Sequence, residues 1–243
     1  REGSMALILV IDDDDLVSRT LQRALKIYDY QVMTASSGIE GLQLARRHRP
    51  DLFILDIMMP GVDGYQVCRQ IRGDPLLQDA PVLFLTAKAK DEDKIEGFRA
   101  GGDDYLVKPF NMQELELRVK AILRRAGPEK VEAAEATVNE VVVGDVVLDC
   151  RTFKVTTPYQ TVLLTNVQFD LLYHLMSHAD QVFNSQQLLQ DVWDYPRDTG
   201  SPELVRAHIK NLREKIEPLP SDPIYIKTIQ GHGYSFSSEA TRG

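Results

Sequence analysis

Polar residues with chemically useful side chains follow four apolar runs of the sequence, at the point where each run ends. The first run is followed by four consecutive aspartates, Asp12 to Asp15, and another is followed by Asp56. Two later runs end on a hydroxyl and an amine, those of Thr86 and Lys108. If the runs are parallel strands, these groups meet at the sheet edge where open α/β folds bind ligands.

The three nearest acids, Asp12, Asp13 and Asp56, would repel one another without a cation. Mg²⁺ is favoured there, since it takes hard oxygen ligands and keeps waters that a phosphoryl group can replace. Lys108 suits one phosphoryl oxygen and the Thr86 hydroxyl can donate to another. Taken alone, Asp56 could be a metal ligand, a general base or a nucleophile, but the whole set is typical of a phosphoryl-accepting aspartate.

The elements that position these groups alternate between strand-like and helix-like patterns up to about residue 125. This pattern predicts an α/β doubly wound domain with a five-stranded parallel sheet over residues 6–125. The predicted strands are 7–11, 31–35, 52–55, 82–85 and 105–107, and the predicted helices are 16–28, 38–48, 65–72, 91–100 and 112–125. The polar groups then follow strands one, three, four and five.

A chain of 243 residues is long enough for two compact domains. The Ala126-Gly127-Pro128 stretch ends the last helix, and the acidic, small residues up to 140 predict a linker over 126–140. Residues 141–238 then change pattern and predict an α+β domain. Its predicted strands are 141–143, 146–148 and 153–155, followed by helices at 185–193 and 203–216 and a hairpin within 224–236.

Residues 6–125 resemble the CheY-like, flavodoxin-like receiver domain of two-component response regulators. The matching motifs are Asp12-Asp13, Leu55 to Gly61, Thr86-Ala87 and Lys108-Pro109. The resemblance implies that Asp56 accepts a phosphoryl group from the phosphohistidine of a sensor histidine kinase. It also implies that Asp13, Asp56 and the Met58 main-chain carbonyl hold Mg²⁺, with Asp12 supporting the site. Asp14 and Asp15 are expected to begin a helix.

The same resemblance implies how the phosphoryl group is sensed: Thr86 moves toward it and Tyr105 turns inward. It also implies a homodimer through the face formed by the predicted helices 91–100 and 112–125 and the strand between them. The charges on that face are mixed and therefore self-complementary, although without the resemblance they would read as a solvated surface. The expected dimer residues are Lys94, Asp103, Asp104, Glu114, Arg118 and Lys120.

The segment 203–216 is predicted to be an amphipathic helix whose polar face suits a DNA major groove. Its expected DNA contacts, with those of the following wing, are Arg206, Lys210, Asn211, Arg213, Gly231 and His232. An ordinary solvated helix face remains the alternative from charge alone. Residues 141–238 resemble the winged-helix effector domain of the OmpR/PhoB family, which implies that 203–216 is the recognition helix. Trp193, His208 and Tyr234 are expected to be packing residues.

Two positions depart from that family pattern. Many members carry arginines beside the wing, where this chain has Gln230 and Ser235. The net charge of −8 argues against nonspecific coating of nucleic acid, and residues 145–243 hold 9 lysines and arginines against 12 acids. One copy should therefore bind DNA weakly and with a steep salt dependence. Dimerisation on tandem half-sites would compensate.

The remaining composition predicts a cytoplasmic protein, because no apolar stretch approaches the roughly 18–20 residues of a membrane span. Cys68 and Cys150 lack metal-ligand spacing and are expected to be buried thiols. Arg1 to Ser4, before Met5, resemble an expression remnant. The loop 194–202 is where family members are expected to contact RNA polymerase.

The favoured function is a phosphorylation-switched, DNA-binding transcriptional regulator that is not an ordinary enzyme. One alternative is an aspartate-nucleophile phosphatase, but such enzymes show an Asp-x-Asp pattern and here Met58 stands two residues after Asp56. Others are a protein-binding effector or an output independent of phosphate. The Met58 side chain cannot orient a hydrolytic water, and Lys88 stands two residues after Thr86, so slow self-dephosphorylation is also predicted.

Overall fold

The computed structural model describes residues 5–87, 100–126 and 139–239. The chain divides into two compact units between Ala126 and Gly127. Residues 91–99 of the predicted helix 91–100 and most of the predicted linker lie outside the described residues. Among the described residues, none of the helices is long and apolar enough to cross a membrane.

The first unit alternates strands and helices as its hydrophobic pattern predicts. Its elements are β1 (Leu7–Ile11), α1 (Asp15–Ile27), β2 (Gln31–Ala35), α2 (Gly38–His48), β3 (Leu52–Asp56), α3 (Gly64–Gly73), β4 (Val82–Thr86), β5 (Asp104–Val107) and α4 (Met112–Ala126). All strand pairs are parallel, and the strand order is β2-β1-β3-β4-β5. The predicted five-stranded parallel sheet is therefore confirmed.

The strand order reverses next to β1, and this reversal creates the crevice where such folds bind ligands. β1 pairs with β3 so that Ile11 lies opposite Leu55. The residues that follow them, Asp12 and Asp56, therefore lie side by side at the carboxyl edge of the sheet. β3 and β4 each run one residue beyond the predicted limit, so Asp56 and Thr86 are the last strand residues. The sheet thus delivers all the predicted polar groups to one edge.

Burial on both faces explains the continuous apolar strands. Every residue of β3 and β4 is buried. On α4, Leu115, Val119 and Ile122 form the predicted stripe and are at most 2% exposed. They join the core cluster that includes residues of β1, β3, β4 and α1, so the sheet edge rests on a rigid, close-packed support.

The aspartate run serves both β1 and α1. Asp14 is the N-cap of α1, and its carboxylate accepts hydrogen bonds from the N–H groups of Leu16 and Val17. Asp15 begins the helix and pairs with Arg19. The expectation that these two acids start a helix is confirmed, and it leaves Asp12 and Asp13 for the pocket.

The second unit has strands first, then helices, then a hairpin, as predicted. Its elements are β6 (Glu140–Val143), β7 (Val146–Asp149), β8 (Lys154–Thr156), β9 (Thr161–Leu163), α5 (Asn166–Ser177), α6 (Ser185–Asp191), α7 (Pro202–Ile216), β10 (Ile226–Ile229) and β11 (Gly233–Phe236). The first four strands form an antiparallel sheet, and β10 and β11 form an antiparallel hairpin.

Two details of this unit differ from the predictions. Phe153 has φ +55° and lies in a turn, so β8 begins one residue later than expected. β9 was not predicted, because its three residues are too short to show a period. Trp193 and His208 are at most 1% exposed, which confirms their packing role, whereas Tyr234 is half-buried. Cys68 and Cys150 are free and buried, as expected.

Candidate functional site

Three carboxylates meet at the carboxyl edge of the parallel sheet. Oxygen atoms of Asp12, Asp13 and Asp56 all lie within 4.8 Å of one another. Asp12 and Asp56 are 1% and 6% exposed, while Asp13 is exposed. Hard oxygen donors at this spacing, with one side open to solvent, fit a Mg²⁺ ion that keeps some of its waters.

Lys108 reaches the same acids from the end of β5. Its Nζ lies 2.7 Å from Oδ2 of Asp12 and 3.3 Å from Oδ2 of Asp56. Its backbone N–H donates to the carbonyl oxygen of Thr86 at 2.7 Å, which fixes the end of β5 against the end of β4. Thr86 is 1% exposed. The structure therefore brings together the predicted acids, the amine and the last residue of β4.

The electrostatics of the pocket leave its negative charge only partly compensated. Burial raises the pKa of Asp56, and the charge of Asp12 adds to this, while Lys108 and the Met58 N–H oppose it. The pKa of Lys108 is raised, because its contacts with Asp12 and Asp56 outweigh the burial that would lower it. Lys108 therefore stays protonated beside three carboxylates, and the pocket favours an added cation.

Met58 contributes to the pocket through its backbone. Its N–H donates to the Asp56 carboxylate, and its side chain is 55% exposed. Its predicted role as a carbonyl ligand of the metal remains a prediction.

Gly64 was missed by the sequence analysis. A Cβ at Gly64 would lie 2.3 Å from the carbonyl oxygen of Asp56. The Gly64 N–H donates to the carbonyl of Ile57. Only glycine allows the start of α3 to pack this closely against the backbone that carries Asp56.

The predicted dimer face differs from expectation at its acids. The Asp103 and Asp104 side chains are 5% and 1% exposed and form ion pairs with Arg72 and Arg118, at 2.7 and 3.2 Å. Burial raises the pKa of Asp104, although Arg118 opposes this. Both carboxylates are thus buried against arginines of the same chain, and their role in a dimer face remains a prediction. Glu114 does lie on the outside of the molecule, where it pairs with Arg118.

Lys120 lies on another side of α4, and its role in a dimer remains a prediction. It pairs with Glu116, and its Nζ lies 5.7 Å from the centre of the Tyr28 ring at the end of α1. Residues two positions apart on a helix point in nearly opposite directions, so Lys120 and Arg118 cannot share one face. Lys94 lies outside the described residues. Tyr105, the predicted switch aromatic, is 8% exposed, so it is already largely buried.

Arg72 organises the opposite edge of the sheet and was also missed. Its guanidinium donates to the carbonyl oxygens of Gly101, Gln78 and Ala80 at 2.6 to 2.9 Å, and to Asp103 at 2.7 Å. Asp103 in turn accepts from the N–H that begins β4, that of Val82. The sequence gives little sign of this network, because its members are up to 31 residues apart.

The predicted DNA-contact residues of α7 fall into two groups. Arg206 and Lys210 are exposed on the outer face of the helix. Asn211 is 9% exposed and lies among the packing residues, and its contact with DNA remains a prediction. Arg213 is half-buried, and it donates through Nε and Nη2 to the carbonyl of Ile226 and through Nη2 to the Thr228 hydroxyl. Its contact with DNA remains a prediction.

Glu217, just past the end of α7, was missed. It is 4% exposed, and its carboxylate accepts hydrogen bonds from the N–H groups of Ile224, Tyr225 and Ile226. Together with Arg213 it ties the C-terminal end of the helix to β10. We refer to Arg213 and Glu217 as the helix–wing clip.

The hairpin after α7 has the exposed tip expected of a wing. Gly231 has φ +76°, and both Gly231 and His232 are exposed. Gly233 has φ +140°, and a Cβ there would lie 2.0 Å from the Phe183 carbonyl oxygen, so glycine is required. Of the two positions that depart from the family pattern, Gln230 is exposed and Ser235 is 6% exposed.

Comparisons with known proteins agree with both units. The family model "Response regulator receiver domain" matches residues 8–120, and "Transcriptional regulatory protein, C terminal" matches residues 159–236. The chain is 39% identical to the DNA-binding dual master transcriptional regulator RpaA of Synechocystis sp., with 98% of each chain covered. It is 40% identical to the alkaline phosphatase synthesis transcriptional regulatory protein PhoP of Bacillus subtilis, over 93% of this chain and 95% of that protein.

A solved structure gives the same result. The response regulator DrrB, a Thermotoga maritima OmpR/PhoB homolog, is 32% identical, with a TM-score of 0.50 and coverage of 96% of this chain and 100% of that chain.

A parallel α/β unit with an acidic pocket, followed by a winged-helix unit, defines the class of two-domain response regulators. This chain belongs to the OmpR/PhoB family of two-component response regulators. Membership implies a sensor histidine kinase and DNA as its partners.

Proposed function

We propose that Asp56 accepts the phosphoryl group that controls this regulator. The observation that carries the proposal is the position of the Asp56 carboxylate, within 4.8 Å of two further acids and 3.3 Å from the Lys108 ammonium. A carboxylate oxygen of Asp56 attacks the phosphorus of a phosphohistidine, an O–P bond forms and the P–N bond breaks, and the histidine leaves.

Each neighbour has a separate task in this transfer. Asp13 and Asp56, with Asp12 in support and the Met58 carbonyl as a further ligand, would hold Mg²⁺, which would supply positive charge to the phosphoryl oxygens. Lys108 binds another phosphoryl oxygen once Asp56 is modified. The Thr86 hydroxyl, at the end of β4, donates a hydrogen bond to the phosphoryl group. Tyr105, on the neighbouring strand β5, turns inward in response.

The proposed output is phosphorylation-dependent binding to a direct-repeat DNA site by a receiver-domain dimer. Arg206 and Lys210 are the exposed basic residues of α7 that support major-groove contact, and His232 stands at the tip of the wing. On the receiver, the proposed dimer residues within the described part are Asp103, Asp104, Glu114, Arg118 and Lys120. The loop 194–202 is proposed to contact RNA polymerase.

Self-dephosphorylation is proposed to be slow. The Met58 side chain is exposed beside the pocket, and its thioether is only a weak hydrogen-bond acceptor that cannot orient an attacking water. A phosphorylated sample in magnesium should therefore keep its phosphoryl group far longer than seconds. Loss within seconds would exclude this part of the proposal.

The test uses the full chain with acetyl phosphate and Mg²⁺, and follows phosphorylation by intact-protein mass and DNA binding by gel shift at physiological salt. Wild type and the control Asp15→Asn should be phosphorylated and should bind DNA more tightly afterwards. Asp56→Asn should show neither effect, because its side chain lacks the nucleophilic carboxylate. Labelling of Asp56→Asn to the wild-type extent would contradict the acceptor assignment.

The gel shift also separates the alternative outputs. Equal binding with and without the phosphoryl donor would favour a phosphate-independent regulator. The absence of any sequence preference would favour an effector domain that binds protein instead.

A further inference from the structure

The N-terminal turn of α7 uses its cap serine in an unusual way. Ser201 stands at the N-cap of the helix and makes no cap hydrogen bond to the backbone. Its hydroxyl instead donates to Oε2 of Glu203 at 2.5 Å. Asp14, at the start of α1, shows the usual arrangement, in which the cap side chain accepts from backbone N–H groups. A cap residue that departs from the usual capping hydrogen bonds is expected where its side chain has a functional role.

The other carboxylate oxygen of Glu203 holds Arg206. Arg206 Nη1 donates to Oε1 of Glu203 at 2.7 Å. The Arg206 side chain is 64% exposed, whereas that of Glu203 is 21% exposed. Ser201, Glu203 and Arg206 therefore form a short chain of hydrogen bonds that presents a guanidinium to solvent from the first turn of the helix. We call these three residues the Ser–Glu–Arg chain.

The Ser–Glu–Arg chain lies at the N-terminal end of α7. In a recognition helix, the residues at this end enter the major groove and contact base edges. An acid at this place is unfavourable next to phosphates. Its presence is explained if the neighbouring arginine contacts a base rather than the backbone. An arginine in a fixed orientation can donate two hydrogen bonds to O6 and N7 of guanine.

Lys210 lies on the same exposed face one turn later and has no such restraint in the structure. A flexible ammonium suits a phosphate, which carries no sequence information. The difference between the two cations on one helix face indicates a division of labour: Arg206 for a base and Lys210 for the backbone.

We propose that Arg206 is a specificity-determining residue that contacts a guanine, and that Glu203, fixed by Ser201, is the positioning residue that orients it. The inference rests on the proposed DNA-binding function. Glu203 orients the guanidinium and, by its charge, disfavours binding of the helix to DNA that lacks the guanine. Removing it lowers the ratio of specific to nonspecific affinity.

The test begins with selection of binding sites from a random DNA pool by the phosphorylated full chain. The wild-type half-site should contain a G·C pair whose replacement weakens binding by about ten-fold or more. Arg206→Ala should lose that preference at this one position and keep the others. Lys210→Gln should weaken binding to all sequences alike and reduce the slope of log K against log salt by about one.

Glu203→Gln tests the positioning role, and Glu214→Gln is its matched control, because Glu214 is exposed on the same side of α7 and carries the same charge. Both changes should raise nonspecific affinity through the added charge. Only Glu203→Gln should also reduce discrimination at the guanine position, by about three-fold or more. Circular dichroism should show unchanged helix content in both variants.

Three results would overturn the inference: the same selected motif for Arg206→Ala, equal effects of Glu203→Gln and Glu214→Gln on discrimination, or a uniform loss of affinity in Arg206→Ala. Failure of the wild type to select any motif would have a different meaning, because it would reject the proposed DNA-binding function itself.

Discussion

The two edges of the parallel sheet use acids in opposite ways. At the carboxyl edge, Asp12 and Asp56 share the Lys108 ammonium, and the neighbouring Asp13 is open to solvent. At the amino edge, Asp103 is buried against the Arg72 guanidinium, which also donates to three backbone carbonyls. One edge is left short of positive charge, while the other is closed by partners from the protein itself.

This difference separates a binding site from a structural one. A buried acid whose partners all belong to the chain adds rigidity, and removal of its partner is costly. Acids that crowd together around too few cations keep the capacity to bind another charged group. Burial alone does not make the distinction, because Asp56 and Asp103 are both at most 6% exposed.

The largest expected effect breaks the closed edge. Arg72→Ala should destabilise the receiver unit by about 3–5 kcal/mol, since it leaves Asp103 buried without its guanidinium. Urea unfolding of the full chain, followed by far-ultraviolet circular dichroism, measures the change. Arg46→Ala is the control, because Arg46 is 56% exposed in its pair with Asp74 and should matter by about 1 kcal/mol or less. Equal losses in the two variants would refute the distinction between the edges.

A smaller effect is expected at the helix–wing clip, which is closed in the same manner. Glu217→Gln should destabilise the second unit by about 2 kcal/mol, since an amide cannot satisfy the three N–H groups that the carboxylate serves. Fluorescence of Trp193, the single tryptophan of the chain, reports unfolding of this unit. Glu214→Gln, at an exposed position, should change stability by less than about 0.5 kcal/mol. Indistinguishable transitions would mean that the clip contributes no stability.

The smallest effect has the opposite sign and concerns the open edge. Burial and the charge of Asp12 raise the pKa of Asp56 in the folded protein. Asp56 therefore contributes to the free energy of unfolding below about pH 4, where an aspartate of the unfolded chain titrates. This contribution is lost as the pH rises through the pKa of the folded state. Without metal at neutral pH, Asp56→Asn should therefore stabilise the protein. The gain should be on the order of 1 kcal/mol, the scale for unit charges about 4 Å apart in a high dielectric.

Thermal unfolding between pH 4 and pH 8, in chelator and in magnesium, measures this effect. Magnesium should raise the melting temperature of wild type more than that of Asp56→Asn, because the variant has lost one oxygen ligand of full charge. Asp15→Asn should follow wild type in both conditions. A wild type that is more stable than Asp56→Asn in chelator at neutral pH would show that the open edge is not short of positive charge.

The same distinction explains which features could be predicted from the sequence. Strand ends and their polar residues were predictable, since apolar runs of three to five residues define the sheet and parallel strands align their carboxyl ends. The positions of Asp12, Asp56 and Lys108 follow from that alone. The burial of Asp103 does not, because its partner Arg72 is brought to it by the fold and lies 31 residues away.

Two side-chain placements could have been read from the sequence. Arg118 and Lys120 are two residues apart on a helix, so they point to different sides of it. Asn211 directly precedes Leu212 of the buried stripe and follows His208 by three, so it falls on the packed side. The clip had no such warning, since Arg213 and Glu217 act on a strand that begins only after an irregular loop.

The helix–wing clip has a consequence for how binding sites for this protein can change in evolution. Arg213 and Glu217 hold the first strand of the hairpin at the end of α7, so the two elements proposed to contact DNA keep a fixed spacing. A base pair inserted between the bases that meet the helix and those that meet the wing would then prevent the two elements from binding their bases at the same time. We therefore expect the DNA half-sites of this protein to change in evolution by base substitution at constant length, and not by insertion or deletion of base pairs.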